Sequence, residues 1–243
     1  MMPAFTFSDP YTDPTPHLLA ALVAPDADVR LLAAQTVRRL PSSQAIPVLT
    51  ERLGNETDPA VLAEVVETLG ILRARDAVTA LLALAAHGDE LVRTNVAEAL
   101  GWIGTRSPQI TQTLLALLSD PDEVVRCYAA ESLGDVGQGR DAVIALRERQ
   151  ETDGSPMVRV WCVYGRAGLG DELDWDALGE AFGDGEAIVR RQAFLALRML
   201  VSDDTAETAA ALVKAASLNE TDADLQSEYA GFLRSVAQSE RFP

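Results

Sequence analysis

Residues 120–137 read DPDEVVRCYAAESLGDVG. Counting from Val125, apolar residues stand at positions 0, 4, 5 and 8, which is the buried stripe of an amphipathic helix. Asp122 stands three residues before Val125, where a side-chain oxygen accepts hydrogen bonds from the first free N–H groups of a helix. The stretch therefore predicts a helix that begins after an aspartate cap.

The same pattern recurs along the whole chain. Its first apolar position is occupied, in order, by Val29, Val61, Val92, Val125, Val158, Val189 and Leu225. The successive spacings are 32, 31, 33, 33, 31 and 36 residues. Such a period is typical of stacked supersecondary units, each of which buries its apolar face against its neighbours.

Each unit is predicted to contain a second, shorter helix that precedes the capped one. These shorter apolar runs span residues 16–23, 44–53, 76–86, 107–118, 140–150, 174–182 and 205–217. Gly101 and Gly134 follow the apolar stripe and are predicted to end or loosen their helices. No alternating pattern of strands competes with this interpretation.

Residues 120–137 resemble the HEAT-like repeat of the phycobilisome-lyase (PBS lyase) type, and residues 58–72 and 89–104 are similar to it. The resemblance covers about residues 15 to 238. It implies an all-α fold, a right-handed alpha-alpha superhelix (HEAT-like solenoid) of about seven helical pairs. Functions in this family range from bilin lyase subunits and scaffolds to a metal-dependent hydroxylase and DNA-repair glycosylases, so the fold alone does not decide the chemistry.

A single solenoid is expected over residues 15–238, with an N-terminal tail at 1–14 and a C-terminal tail at 239–243. Three aromatic residues of the N-terminal tail are expected to cap the first repeat: Phe5, Phe7 and Tyr11. The tail has no basic residue and no apolar run, which is unlike a signal peptide or a membrane span. We therefore expect a cytoplasmic protein that is monomeric on its own and does not bind membranes.

The charge is strongly one-sided. The net charge is −17, with 37 acidic residues against 19 arginines and one lysine, Lys214. Adaptation to a cytosol rich in salt produces this balance, because salt screens the repulsion between the acids. A surface that binds a basic partner produces it too, and both interpretations stay open. Nucleic-acid binding is disfavoured, because phosphate contacts need clustered Lys and Arg.

Five arginines directly follow the repeated apolar position. They form the predicted arginine ladder: Arg30, Arg93, Arg126, Arg159 and Arg190. We expect each guanidinium to pair with a carboxylate of the neighbouring unit, because the planar guanidinium suits bidentate, partly buried pairs. Leu62 and Gln226 occupy the same position in the second and seventh units, so the ladder is expected to break there.

Signatures of an enzyme or a metal site are missing from the sequence. The two histidines, His17 and His87, lack the repeated His-Glu pairs of the hydroxylase branch and cannot form a metal site alone. Cys127 and Cys162 stand at nearly equivalent places in adjacent units and are expected to be small buried residues. The sequence thus predicts no catalytic residue, no metal ligand and no cofactor.

The resemblance implies that the second helices form the concave wall of the solenoid. Positions three, six and ten after the repeated apolar residue are expected to project from this wall, since positions 0, 4, 5 and 8 face the core. The candidate partner-binding residues are Glu64, Glu67, Asn95, Glu98, Trp102, Tyr128, Glu131, Asp135, Trp161 and Tyr164. Aromatic residues beside carboxylates suit the recognition of Arg and Lys side chains.

The sequence therefore favours a non-catalytic scaffold or adaptor that binds another protein or peptide, and a basic partner is one of the two open interpretations of the charge. The first alternative is a subunit like a bilin lyase, or a chaperone, that handles a tetrapyrrole between Tyr128, Trp161, Cys127 and Cys162. The second alternative is an inhibitor or immunity-type protein that blocks a basic enzyme with its acidic wall.

Overall fold

The computed structural model describes residues 15–239, and over this range the chain consists of helices and their connections, with no strand. The expected N-terminal tail, with Phe5, Phe7 and Tyr11, lies outside the described residues. So does most of the expected C-terminal tail, because the last described helix ends at Ser239. Contacts within the chain divide it into two compact units, Met1–Ala99 and Leu100–Pro243.

In the first unit, the helices come in short and long pairs. They are α1 (Thr15–Ala21), α2 (Ala27–Val37), α3 (Ser42–Leu53), α4 (Pro59–Ile71), α5 (Val78–Ala83, preceded by a 3₁₀ turn at Arg75–Ala77) and most of α6 (Glu90–Ile103). Helix α2 packs against α1 and α4, and α3 packs against α4 and α5. The second helices of consecutive pairs therefore lie directly side by side.

In the second unit, the same arrangement continues. Its helices are α7 (Pro108–Leu117), α8 (Glu123–Val136), α9 (Arg140–Thr152), α10 (Pro156–Gly168), α11 (Trp175–Phe182), α12 (Ala187–Leu200), α13 (Ala206–Ser217, preceded by a 3₁₀ turn at Asp203–Thr205) and α14 (Ala223–Ser239). Helix α10 packs against α8, α9 and α12. A second helix in the array is thus surrounded on three sides.

Aspartate caps begin most of the second helices. The Oδ1 atom of Asp122 accepts hydrogen bonds from the N–H groups of Val124 and Val125, at 2.9 and 3.2 Å. The equivalent aspartates that also accept a bond from a first-turn N–H group are Asp26, Asp58, Asp89 and Asp222. Ser155 and Glu186 occupy the same position without a side-chain capping bond. Because a cap stabilises a helix by about 1 kcal/mol, the caps fix where these helices start.

The predicted apolar stripes form the core. In α8, Val125, Ala129, Ala130 and Leu133 are fully buried, and the equivalent residues of α4 are exposed by no more than 1%. Each repeat buries its stripe against its own first helix and against the neighbouring helical pair. The stability of one repeat therefore depends on its neighbours.

The glycines at the end of the stripe do not end their helices, which corrects the prediction. Helix α6 continues past Gly101 to Ile103, and α8 continues past Gly134 to Val136. Glycine at position 134 instead permits close packing, because a Cβ atom there would lie 2.9 Å from the Cα atom of Gly165 in α10. The backbones of α8 and α10 therefore touch at this point.

Candidate functional site

Three carboxylates of the first unit lie on the second helices at the predicted positions three and six. Glu64 and Glu67 are on α4, and Glu98 is on α6. All three are half-buried, and Gln35 Nε2 of α2 donates a 3.2 Å hydrogen bond to Glu64 Oε2. We call Glu64, Glu67 and Glu98 the acidic face.

Two carboxylates of the acidic face, Glu67 and Glu98, have raised pKa values. Burial raises the pKa of Glu98 from its ordinary 4.5 to about 7, and the charge of Glu67 adds to the effect. Burial and the charge of Glu64 raise the pKa of Glu67 as well, while Arg38 opposes this. Glu98 forms no hydrogen bond or ion pair with any described residue. Glu67 and Glu98 thus hold like charges in a poorly solvated place, and Arg38 compensates only Glu67 in part.

A carboxylate that pairs with a ladder arginine has a lowered pKa, in contrast to Glu67 and Glu98. In the first unit, Arg30 donates to Glu56 through Nε at 2.8 Å and through Nη2 at 2.9 Å. Burial of Glu56 opposes ionisation, but the hydrogen bonds from Arg30 and from two backbone N–H groups lower its pKa to about 2. Glu56 therefore stays charged although it is buried where two helical pairs meet.

The second unit contains two further pairs of this kind. Arg126 binds Asp153 at 2.8 and 3.0 Å, and Arg190 binds Glu220 at 2.8 and 2.6 Å, in each case through Nε and Nη2. The three carboxylates share a position that the sequence analysis missed, two residues before the N-cap of the next second helix. That position is recognisable in the sequence once the caps are placed.

Arg93 and Arg159 are the remaining ladder arginines. Arg93 donates to the backbone carbonyls of His87 and Gly88. Arg159 donates to the carbonyl of Asp153 at 2.9 Å but forms no ion pair with a described residue, unlike the expectation for this position. Leu62 is buried, and Gln226 Nε2 donates to the carbonyl of Glu220, which partly replaces the arginine.

Three candidate binding residues are buried, which corrects the expectation that positions three and six project into solvent. Only 8% of Asn95, 6% of Trp161 and 8% of Tyr164 is exposed. Asn95 Nδ2 donates to the carbonyl of Ala63, so this side chain joins α6 to α4. Positions three and six therefore lie where neighbouring second helices meet.

The aromatic residues of the second unit join three consecutive helices. Tyr164 Oη donates a 2.7 Å hydrogen bond to Asp135 Oδ1, and Trp161 Nε1 donates to Gln192 Oε1 at 3.1 Å. The rings of Trp161 and Tyr164 meet edge to face with centroids 5.5 Å apart. Burial and the bond to Asp135 raise the pKa of Tyr164, so its hydroxyl remains a donor at all physiological pH values. The chain from Asp135 to Gln192 therefore links α8, α10 and α12.

The other candidates of the second unit are more accessible. Trp102 is 38% exposed, Asp135 is exposed, and Tyr128 and Glu131 are half-buried. Their role in partner binding remains a prediction.

The two thiols are buried in poorly solvated places. Burial raises the pKa of Cys127 to about 12 and also raises the pKa of Cys162. Both thiols thus stay protonated at neutral pH, and a protonated thiol is a poor nucleophile. Among residues 15–239, no three His, Cys, Asp or Glu side chains are grouped so that they could hold a metal ion.

Two cavities in the second unit lie at corners between helical pairs. One has a volume of about 620 Å³ and is lined by α9, α10 and α11. The other has a volume of about 310 Å³ and is lined by α11, α12 and α13. Neither is lined by Tyr128, Trp161, Cys127 or Cys162. Within the described range, no helix has the length and apolar character needed to cross a bilayer.

Solved structures share this fold. The complex of CpcE and CpcF of phycocyanin lyase from Nostoc sp. PCC7120 is 19% identical, with a TM-score of 0.69, and the match covers 97% of this chain and 99% of that one. A designed armadillo repeat protein in complex with the peptide (KR)4 is 18% identical, with a TM-score of 0.52, over 78% of this chain and all of that one. A homology model of the AP-3 complex is 13% identical, with a TM-score of 0.58, over 87% of this chain and 42% of that one.

Sequence comparison points to the same fold. No curated protein sequence matches this chain. The family model of HEAT repeats matches residues 15–101 and 83–165, which together make up more than half of the chain. These matches confirm the predicted all-α, HEAT-like fold, and the chain belongs to the HEAT-repeat family.

Proposed function

We propose that this chain is a non-catalytic scaffold that binds a basic segment of another protein on its acidic face. The observation that carries the proposal is the unpaired, half-buried state of Glu98 beside Glu67. A Lys or Arg side chain placed between them provides the missing opposite charge, and it recovers free energy that the unbound protein spends on like-charge repulsion.

Two further observations support a basic partner. The net charge of −17 attracts cations over a distance and accelerates their association. The designed armadillo protein of similar fold is bound to an alternating Lys-Arg peptide. The stacked second helices of such repeats offer equivalent side chains at regular intervals, which suits an extended peptide with evenly spaced charges.

Proton release tests the proposal directly. A cation that binds Glu98 lowers the pKa of this group, so binding near pH 6.5 releases a proton. Titration calorimetry with an alternating Lys-Arg octapeptide, run in buffers of different ionisation enthalpy, measures that release. Proton release that disappears when Glu98 is replaced therefore reports binding at this group rather than general attraction by the net charge.

Two variants provide the matched comparison. Glu98→Gln removes the titrating group and is expected to abolish the proton release and to weaken binding about tenfold. Glu51→Gln removes the same charge from an exposed position of α3 and is expected to change the affinity by less than about twofold. Equal affinities and equal proton release for both variants would contradict the proposal.

Tetrapyrrole handling is the second candidate, favoured by the fold shared with the phycocyanin lyase complex. A bilin added to the purified protein distinguishes the two functions, because a bound tetrapyrrole gives a shifted and saturable absorbance band. An inhibitor of a basic enzyme uses the same acidic face as a scaffold does. It is recognised when the captured partner is an enzyme that loses activity on binding.

A further inference from the structure

The arginine ladder of the second unit has a constant geometry. In each complete pair, Nη1 of the arginine donates to the carbonyl six residues earlier, at 2.9 Å for both Arg126 and Arg190. This bond fixes the guanidinium plane, so Nε and Nη2 point together at the carboxylate of the next repeat. That carboxylate also accepts a hydrogen bond from the backbone N–H of the N-cap residue that follows it by two positions.

Arg159 has the same anchor but lacks the carboxylate. Its Nη1 donates to the carbonyl of Asp153 at 2.9 Å, the same bond that orients the other two guanidinium groups. The corresponding acid is Asp184, which accepts the N–H of Glu186 at 2.8 Å as the pattern requires. Asp184 and Arg159 nevertheless form no ion pair. We call this place the open pair.

The chain segment between the two residues is short at the open pair. Asp184 follows Arg159 by 25 residues, whereas the partners of Arg126 and Arg190 follow by 27 and 30. The intervening helix α11 has 8 residues, compared with 13 in α9 and 12 in α13. Asp184 is also one methylene shorter than Glu220, the partner in the next corner. The open pair thus combines the shortest spacing, 25 residues against 26, 27 and 30 in the three pairs described above, with the shorter of the two acidic side chains.

A cavity lies where the ion pair is missing. The larger cavity of about 620 Å³ is lined by both Arg159 and Asp184. The equivalent corner with the complete Arg190–Glu220 pair has a cavity of about 310 Å³, half that volume. A cavity of the larger size lies in the range of sites that hold small ligands or the end of a peptide.

The lining indicates what kind of ligand fits. Arg159 is the one cation among the lining residues, while five acids line the same cavity: Glu151, Asp174, Asp176, Glu180 and Asp184. A simple anion attracted by Arg159 is repelled by these acids. A group that carries both a carboxylate and a neighbouring positive charge satisfies both sides.

We propose that the open pair at Arg159 binds a peptide carboxylate whose neighbouring group is a Lys or Arg side chain. The carboxylate takes the place of the missing ladder acid on Nε and Nη2 of Arg159, and the cation lies against the acids of α9 and α11. The carboxylate comes either from a free C-terminus or from an internal Asp or Glu. This site uses none of the acidic-face residues and does not depend on the function proposed above.

Three short peptides test the site and distinguish the two sources. They are Gly-Gly-Lys with a free C-terminus, the same peptide with an amidated C-terminus, and acetyl-Gly-Glu-Lys-Gly-amide. NMR of the arginine Nε–H groups in the full chain reports binding at Arg159, because a bidentate carboxylate shifts that resonance. We expect a saturable shift with at least one peptide that carries a carboxylate, and none with the amidated Gly-Gly-Lys.

Three variants separate the site from general electrostatics. Arg159→Gln removes the guanidinium and is expected to weaken binding about tenfold or more. Arg140→Gln removes the same charge from an exposed position on α9 and is expected to leave the affinity within about twofold. Asp184→Glu keeps the charge but lengthens the side chain toward Arg159. It is expected to complete the ion pair, as glutamate does at Glu220, and to abolish binding.

Three results would overturn the proposal. The first is equal binding of the carboxylate and amidated peptides, and the second is no binding of any peptide to the unchanged protein. The third is an affinity that Arg159→Gln and Arg140→Gln lower equally. The scaffold proposal fails when Glu98→Gln binds the Lys-Arg octapeptide as tightly as the unchanged protein does. That result does not involve Arg159 or the three short peptides, so failure of the scaffold proposal is recognised separately.

Discussion

Replacing Arg126 with alanine tests whether the arginine ladder stabilises the fold. The substitution removes two bonds to Asp153, at 2.8 and 3.0 Å, and two bonds to backbone carbonyls. The carboxylate of Asp153 remains, with 2% of its side chain exposed. Because solvent cannot reach this group, it must keep its charge without its main partner or take up a proton.

The expected cost follows from what remains around Asp153. Removing one partner of a buried ion pair costs about 3 to 5 kcal/mol. Arg149 stays 3.5 Å from Asp153 Oδ2, and the Ser155 N–H continues to donate, so part of the loss is compensated. We therefore expect Arg126→Ala to lower the free energy of unfolding by about 2 to 4 kcal/mol.

Arg159→Ala is the matched control, because Arg159 has the same place in the next repeat but no ion pair. It removes the bond to the carbonyl of Asp153 and is expected to cost about 1 kcal/mol. Urea denaturation followed by circular dichroism measures both. A double-mutant cycle of Arg126→Ala with Asp153→Ala isolates the coupling, expected at about 2 kcal/mol. Equal costs for the two arginines, with no coupling in the cycle, would refute a stabilising ladder.

Three further substitutions give separate predictions. Glu98→Gln is expected to raise the free energy of unfolding by about 2 kcal/mol near pH 8 and to have little effect near pH 4, measured by urea denaturation at both. Gly134→Ala forces α8 and α10 apart and is expected to lower the free energy of unfolding by about 2 to 3 kcal/mol. Gly154→Ala is the control and is expected to be nearly neutral, because the added Cβ lies in open space. Thermal melting compares the two variants. Trp161→Ala is expected to cost about 3 to 5 kcal/mol, because the ring is buried; a stable variant that loses partner binding would contradict this.

The repeat period and the caps made the fold predictable from the sequence. Local chemistry decides most of both, because an aspartate three residues before an apolar stripe satisfies the first free N–H groups of a helix. The ends of the helices were less predictable. Gly101 and Gly134 look like helix stops locally, but the neighbouring helix decides their role, and no single repeat contains that information.

The candidate site was harder to predict for a related reason. A simple amphipathic helix has one buried stripe, and from that stripe Trp161 and Tyr164 were expected to project into solvent. Helix α10, however, packs against α8, α9 and α12, so positions beside the stripe are buried as well. The burial of the ten candidates depends on how closely consecutive second helices approach, which small residues such as Gly165 determine.

Glu56 and Glu98 respond to pH in opposite directions, and the first affects folding while the second affects folding and binding. Glu56 has a folded-state pKa of about 2, below its ordinary 4.5, so its contribution to stability is complete above pH 4.5 and is lost only as the pH falls toward 2. Glu98 has a folded-state pKa of about 7, above its ordinary 4.5, so the folded protein binds the extra proton between these values and loses stability as the pH rises through them. Between about pH 5 and 8, therefore, the Arg30–Glu56 pair still stabilises the fold while Glu98 gains negative charge. A cationic partner that binds the ionised Glu98 restores the lost stability, so its affinity is expected to rise with pH over this interval.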